Sequence, residues 1–175
     1  MRYTLNYRLS DGDYYHFNLH HMNTMPAIRR RTRLMHYGFP VFCALYGLLL
    51  GWLLDILYIA FIAGILLGML WLVGYRALNN YALRQRIRKL GMDGRLFYGR
   101  EITTSFGEDS FTERTADSDC TYRYTLVERV SVGYAGVYLY TGAVVAHIIP
   151  RRAFRDEDEL KMFVLFVSDR VYARG

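Results

Sequence analysis

The sequence predicts a two-span membrane hairpin joined to a small antiparallel sheet domain that a C-terminal helix caps. Three observations predict this fold class. The stretch from Tyr37 to Tyr75 is almost entirely apolar, with Asp55 its only ionisable carboxylate or base. Short alternating runs broken by turn residues fill the chain after residue 94, and an apolar stripe at helical spacing follows Asp156.

The apolar stretch is too long for a single span. At about 1.5 Å per residue, a straight helix from Tyr37 to Tyr75 would reach roughly 58 Å, about twice the roughly 30 Å hydrocarbon core of a bilayer. We therefore expect two spans, Tyr37 to Leu54 and Ile56 to Tyr75, with a tight turn at Asp55. The run begins after residue 36 and exceeds the apolar part of a signal peptide, so we expect it to remain in the mature protein.

Basic residues flank both ends of this hairpin and are missing from its turn. Those before the first span are Arg29, Arg30, Arg31 and Arg33, and those after the second are Arg76, Arg84, Arg86, Arg88 and Lys89. The positive-inside rule then predicts that both termini are cytoplasmic, in the cytoplasmic (inner) membrane. Cys43 falls in the first span and Cys120 in the polar part, so no disulfide is expected.

The N-terminal segment predicts a strand and then a helix. Residues Arg2 to Leu9 alternate apolar and polar side chains, the period of a half-buried strand. A lone strand is not stable, so we expect this one to join the sheet beyond the hairpin. Ser10 and Asp13 form a capping-box pattern that opens a helix to about Asn23.

Two histidines on that first helix raise the question of a metal site. His16 and His20 are spaced i, i+4, and Asp13 precedes them by one turn, a spacing that could place three ligands on one ion. The alternative is a packing face, and because no fourth ligand is evident we expect no metal and no other cofactor.

Glycines at a four-residue spacing occur in both spans. Gly47 and Gly51 form one pair and Gly64 and Gly68 the other, and small residues at this spacing let helix backbones approach closely. Counted from Asp55, Gly47 and Gly64 should lie at similar depth, which favours packing within the hairpin. Dimerisation through one ridge is the alternative.

Arg76 to Leu90 predicts a basic helix that extends the second span into the cytoplasm, with Gly91 as its C-cap. Its charge is explained by the adjacent span, so we expect no nucleic-acid partner.

Cations beside a span can contact anionic headgroups, and two arginines at a strand-to-helix junction can bind an anion as forked donors. The candidate anion or lipid contacts are Arg29, Arg30, Arg31, Arg33, Arg84, Arg88, Arg151 and Arg152. For Arg151 and Arg152 the alternative is pairing with the acidic start of the last helix.

Six short antiparallel strands are expected after the turn signal Asp93-Gly94. Their predicted ranges are Glu101 to Phe106, Ser110 to Thr115, Cys120 to Thr125, Arg129 to Tyr134, Val137 to Tyr140 and Ala143 to Ile149. Pro150 ends the last strand, and Asp156 with Glu159 opens a helix whose apolar stripe should cover the sheet. With the N-terminal strand, this makes a small curved sheet or open barrel. The predicted parts are an N-terminal strand and amphipathic helix (1–33), the hairpin (34–75), a basic helix (76–91) and the sheet domain (92–175).

The layout resembles the YcxB-like family of small bacterial membrane proteins. The segments that carry the resemblance are YTLNYRL and DYYHFNLHH near the N-terminus, the basic segment before the hairpin, and HIIPRRAF before the last helix. Ile148 to Phe154 is the most specific match. The resemblance implies a pleckstrin-homology-like C-terminal domain, although Tyr124, with Val127 and Val130, stands where such modules often carry a tryptophan. It implies no catalytic residues.

No nucleophile motif, phosphate loop, paired acid or metal-binding cysteine cluster occurs in the sequence. We therefore expect a protein that is not an enzyme. Two functions remain open at this point. One is a membrane-tethered module that binds a protein or lipid partner at the membrane surface. The other is a structural or pore-forming homo-oligomer assembled through the glycine ridges.

Overall fold

The computed structural model describes residues 3–92 and 99–173. Arg2 and the predicted turn at Asp93-Gly94 lie outside the described residues. The helices are α1 (Asp11–Thr24), α2 (Pro26–Leu53), α3 (Leu57–Met92) and α4 (Glu157–Tyr172). The strands are β1 (Tyr3–Arg8), β2 (Glu101–Phe106), β3 (Ser110–Arg114), β4 (Asp119–Arg123), β5 (Arg129–Val132), β6 (Gly136–Tyr140) and β7 (Ala146–Pro150). The chain divides into two compact units. One is Met22–Arg86, and the other joins the residues up to His21 with those from Ile87 onward.

The first unit is a helical hairpin. Helices α2 and α3 are both long and apolar enough to cross a membrane. Only 17% of the most apolar 18-residue stretch of α2, and 11% of that of α3, is buried. The turn between them places Asp55 at φ 58°, a left-handed conformation that Asp tolerates better than most residues. The Ile56 amide donates to the Gly51 carbonyl oxygen at 2.9 Å and closes the turn. The helical hairpin with a tight turn at Asp55 is therefore confirmed.

Both hairpin helices extend well beyond the predicted spans. Helix α2 begins at Pro26, because proline is favoured in the first turn of a helix. The basic segment belongs to the same helix and continues without a break into the apolar part. Helix α3 likewise includes the predicted basic helix. Gly91 is not a C-cap: it lies inside α3, which ends at Met92.

The four spaced glycines face the opposite helix of the same hairpin. A Cβ at Gly47 would lie 2.5 Å from the Ala60 carbonyl oxygen, and one at Gly64 would lie 2.5 Å from the Cys43 carbonyl oxygen. A Cβ at Gly51 would lie 2.7 Å from the Leu57 Cα, and one at Gly68 would lie 3.1 Å from the Pro40 Cα. The sequence predicts similar depth for Gly47 and Gly64, and the structure offsets them by about one helical turn. Gly47 packs against Ala60, four residues before Gly64, and Gly64 packs against Cys43, four residues before Gly47.

The second unit contains a four-stranded antiparallel sheet with the order β1-β2-β3-β4. Strand β1 pairs with β2 along its whole length, from Tyr3 opposite Phe106 to Arg8 opposite Glu101. The N-terminal strand thus joins the C-terminal domain, as the sequence predicts. The Tyr7 hydroxyl also shares a buried 2.9 Å hydrogen bond with the Thr104 hydroxyl.

A separate three-stranded antiparallel sheet has the order β5-β6-β7, so the seven strands of the described residues form two sheets. A 3₁₀ turn at Tyr124–Leu126 separates them, and Tyr124 is 2% exposed within the core. The strand predicted from Cys120 to Thr125 is wrong at its end, since Tyr124 and Thr125 belong to that turn. The strand predicted from Arg129 to Tyr134 is too long, because the Gly133 amide donates to the Gly136 carbonyl oxygen and closes a tight turn. The last strand begins at Ala146, since the Thr141 amide bonds the Val145 carbonyl.

Helix α4 covers the core of the sheet domain with the predicted stripe. Phe163 and Val167 are fully buried, and Leu160 is 3% exposed. The Phe163 ring packs edge-on against Phe106 and Tyr3, which joins the helix to β1 and β2. The Asp156 carboxylate accepts the Glu159 amide at 2.7 Å, so the predicted N-cap is confirmed.

Candidate functional site

A half-buried ion pair links the start of α1 to the segment that follows β7. The Arg152 guanidinium donates to both carboxylate oxygens of Asp13, at 2.7 and 2.6 Å. Asp13 is only 5% exposed and also accepts the amide and hydroxyl of Ser10. Arg152 donates in addition to the carbonyl oxygen of Arg8. Arg152 is thus engaged in joining the N-terminal segment to the rest of the domain.

The pKa of Asp13 reflects these contacts. Burial raises it, but the hydrogen bonds from Arg152 and Ser10 outweigh burial, and the net pKa lies below its usual value. The hydrogen bond to Asp13 raises the pKa of the Arg152 guanidinium correspondingly. The pair therefore remains ionised at neutral pH, as a structural link.

Beside this pair lies a shallow depression, which we call the junction depression, of about 660 Å³. His16, Tyr134, Ala135 and Arg151 border it, together with the Ser10 to Asp13 turn. Arg151 pairs with Glu157 and donates to the Tyr134 carbonyl oxygen at 3.3 Å. Tyr134 itself is 85% exposed, so an aromatic ring and a guanidinium edge stand open to solvent here.

The first-helix histidines contact the sheet instead of a common ion. His20 shares a 2.7 Å hydrogen bond with the Ser131 hydroxyl, and its ring lies 5.0 Å from that of Tyr138. His16 lies 6.0 Å from the Tyr134 ring, and Asp13 is bound to Arg152. Within residues 3–92 and 99–173, no group of three or more His, Cys, Asp or Glu side chains could hold a metal ion.

Burial controls the ionisation of these side chains. Burial and then the Arg129 charge lower the pKa of His20, and the same causes lower that of His21. Burial raises the pKa of Tyr138 and of Tyr124 to about 12. All four groups are therefore held in their neutral forms near neutral pH.

The hairpin presents its cations at the end opposite Asp55. Arg29, Arg30, Arg31 and Arg33 are exposed on the first turns of α2, and Arg84 and Arg88 are exposed on the last turns of α3. The sequence contains no carboxylate between residues 14 and 92 other than Asp55. Asp55 is therefore the only carboxylate in α2, α3 and the turn that joins them.

A groove of about 330 Å³ lies between α2 and α3 at this end of the hairpin. We call it the open-end groove. Its charged and aromatic lining is Arg29, Arg33, His36, Tyr37, Tyr75 and Arg76. Asn79 and Asn80 add amide groups, whereas Arg30, Arg31, Arg84 and Arg88 do not line it.

The His36 ring lies inside this lining. Its centroid is 4.6 Å from that of Tyr37 and 5.2 Å from that of Tyr75. Its Nδ1 atom is buried and has no hydrogen-bond partner among the described residues. Just beyond it, Trp71 donates its indole N–H to the Met35 carbonyl oxygen at 3.3 Å.

Sequence reasoning did not identify His36, Tyr75, Arg76 or Asn79 as site residues, nor did it pair Asp13 with Arg152. Helical spacing shows which residues share a face of one helix, but not which residues face each other across two helices. A usable signal was present in the turn at Asp55, because counting outward from it places residues 33 and 36 opposite residues 77 and 74, which lie on either side of residues 75 and 76.

The strand-to-helix region that contains Arg151 and Arg152 is also where the chain is similar to known proteins. Residues 106–169 match the model of the YcxB-like protein family. This match confirms the family resemblance, over the region from the end of β2 through most of α4. The YcxB-like region includes HIIPRRAF and excludes both β1 and the hairpin. No curated protein and no solved structure matches the chain.

Proposed function

We propose that this chain is a non-enzymatic inner-membrane protein whose cytoplasmic domain binds a partner at the membrane surface. The hairpin crosses the membrane twice, and the sheet domain acts as a pleckstrin-homology-like binding module. Two apolar helices and a YcxB-like region support the proposal. The seven strands and the C-terminal helix agree with the module that the family resemblance implies.

One observation carries the topology. Strand β1 precedes the hairpin and β2 follows it, yet the two pair over their full length in one sheet. The two chain segments that flank the hairpin must therefore lie on the same side of any membrane that it spans. Pairing of β1 with β2 therefore requires an even number of spans between them, whatever the charges of the flanking segments.

The charges then select the side. Both flanks carry arginines, and the turn around Asp55 carries none. Under the positive-inside rule, the shared side of β1 and β2 is the cytoplasm. The sheet domain is thus anchored to the inner face by two covalent connections.

The junction depression is the proposed contact surface of the sheet domain. Tyrosine and arginine are enriched among the residues that contribute most to protein interfaces, and here Tyr134 is exposed beside Arg151. The homo-oligomer alternative is not favoured, because Gly47, Gly51, Gly64 and Gly68 already contact the opposite helix of their own hairpin.

Native cysteines allow a direct test of topology. Cys120 is exposed in the sheet domain and Cys43 is buried in the hairpin. In intact inner-membrane vesicles of known orientation, a membrane-impermeant maleimide should label Cys120 only from the cytoplasmic side. In a Cys120→Ser background, Asp55→Cys should be labelled only from the opposite side. Labelling of both positions from one side would contradict the hairpin topology.

Partner binding is tested by purifying the full chain in mild detergent and measuring copurified proteins and lipids by mass spectrometry. A stoichiometric partner should be retained by the wild type and lost from Tyr134→Ala. Tyr172→Ala removes another exposed tyrosine of the same domain and should leave the partner bound. Retention of every copurified partner by both variants would exclude the junction depression as the contact surface.

A further inference from the structure

The open-end groove concentrates positive charge without an internal counter-charge. Arg29 and Arg33 reach it from α2, and Arg76 reaches it from α3. The carboxylate of Asp55, at the other end of the hairpin, is too far away to offset them. Like charges gathered at one site raise each other's free energy, and an anion bound between them removes that penalty.

The groove also offers groups that match an oxyanion. Guanidinium groups present planar forks of N–H donors that fit phosphate oxygens. The side chains of Asn79 and Asn80 supply further donors. The buried Nδ1 of His36 lacks a partner, and a buried nitrogen normally has one.

The side chains around the groove favour a lipid headgroup over a soluble anion. Tyr37 and Tyr75 lie at the ends of the apolar stretch, where tyrosines mark the membrane interface. Beyond them, Val41, Phe42 and Val73 are exposed apolar side chains that acyl chains could cover. Basic pockets between membrane helices on the cytoplasmic side are known to hold anionic headgroups.

We propose that the open-end groove binds the phosphodiester headgroup of an anionic phospholipid, through Arg29, Arg33, Arg76 and the Nδ1 of His36. This inference rests on the proposed membrane insertion and adds a lipid class to it. The lipid would neutralise the cations at the point where the two helices leave the apolar layer.

The test uses the full chain in nanodiscs with equal amounts of phosphatidylglycerol and phosphatidylcholine, and native mass spectrometry of the retained lipids. The wild type should retain phosphatidylglycerol selectively. Arg33→Gln/Arg76→Gln should reduce this retention by at least about tenfold, because it removes two guanidinium groups and the loss of even one charge-assisted hydrogen bond has an effect of that size. Arg31→Gln/Arg86→Gln removes the same charge from the same two helices outside the groove, and retention should remain within about twofold of wild type.

His36→Phe tests the site without removing any of its arginines, because it keeps an aromatic ring and deletes only the ring nitrogens. It should lower retention of phosphatidylglycerol as well. Equal retention by the two double arginine variants would overturn the groove as the site. Displacement of the lipid by inorganic phosphate at constant ionic strength would assign the groove to a soluble anion and overturn the lipid assignment.

Failure of the membrane proposal would look different. A chain that does not enter nanodiscs, or whose Asp55→Cys variant is labelled from the same side as Cys120, contradicts the hairpin topology and the lipid site together. A chain that inserts correctly but retains both lipids equally contradicts the lipid site alone.

Discussion

The pair between Asp13 and Arg152 gives the sharpest quantitative prediction. Asp13→Asn keeps the size of the side chain but removes its charge, and it replaces one acceptor oxygen by a donor that faces Arg152. The carboxylate accepts four bonds of 2.6 to 2.8 Å and is 5% exposed. Breaking a fully buried pair costs about 3 to 5 kcal/mol, and hydrogen bonds to charged groups contribute about 1.5 to 3 kcal/mol.

The expected loss of stability is smaller than that for a fully buried pair, because water can solvate the Arg152 guanidinium once Asp13 no longer pairs with it. Its side chain is 52% exposed, so only the Asp13 side of the pair is strongly desolvated. We expect Asp13→Asn to lower the free energy of unfolding of the sheet domain by about 2 to 3 kcal/mol. In amide hydrogen exchange this corresponds to roughly 30- to 150-fold faster exchange in β1.

Hydrogen–deuterium exchange of the full chain in detergent is the suitable assay, because Trp52 and Trp71 both lie in the hairpin and do not report on the sheet domain. Asp158→Asn is the control: it removes an aspartate whose side chain is 89% exposed in its pair with Lys161, and exchange in β1 should not change. Equal amide exchange rates in β1 of the two aspartate variants would show that the Asp13–Arg152 pair does not stabilise this strand.

A double-mutant cycle makes the test specific to the pair. The double variant should be destabilised by much less than the sum of the destabilisations of Asp13→Asn and Arg152→Gln, since either change alone breaks the link. The pH dependence has a defined sign. Because the folded pKa of Asp13 is lowered, its contribution is present above the unfolded pKa of about 3.9 and is lost as pH falls through the folded pKa.

Three further predictions concern packing and protonation. Gly64→Ala should destabilise the hairpin by about 1 to 3 kcal/mol in detergent unfolding followed by tryptophan emission, because its Cβ would meet backbone. Gly74→Ala, which has nothing within 4 Å, should not, and equal effects would contradict this packing. Gly136→Ala should disrupt the pairing of β6 with β7, because the added Cβ would overlap the Ile149 carbonyl oxygen. Amide exchange in these two strands should become faster, and an exchange rate unchanged from that of the wild type would show that the close approach is unimportant. Because the folded state lowers the pKa of His20, neutral His20 stabilises the fold fully above about pH 6.5, and this stabilisation is lost as pH falls towards the folded pKa. Protection of the β5 amides from exchange should fall over that range, and His20→Gln should make this protection less dependent on pH.

Local periodicity predicted most of the elements. The strand from Glu101 to Phe106 has the predicted bounds, and β1 pairs in the C-terminal sheet because its alternation required a partner. The hairpin followed from length and from a single carboxylate. These features depend on side chains within one element, which is the information that a sequence carries directly.

Features that depend on two distant segments were not predictable in the same way. The division into two sheets arises because Tyr124 turns into the core instead of continuing β4. Gly91 was misassigned because its neighbours sustain α3 for another residue. The residues that oppose each other in the open-end groove follow from the exact packing of α2 on α3, which glycine spacing alone did not specify.

The pairing of β1 with β2 also sets an order of events during synthesis. The Tyr7 and Thr104 hydroxyls that bond each other are 97 residues apart, and the whole hairpin is made between them. At about 5 to 20 residues per second, β1 waits roughly 5 to 20 seconds for its partner to leave the ribosome. During that interval its apolar face has no sheet to cover it. The sheet domain therefore completes its fold only after both hairpin helices have been synthesised, which couples maturation of the domain to production of its anchor.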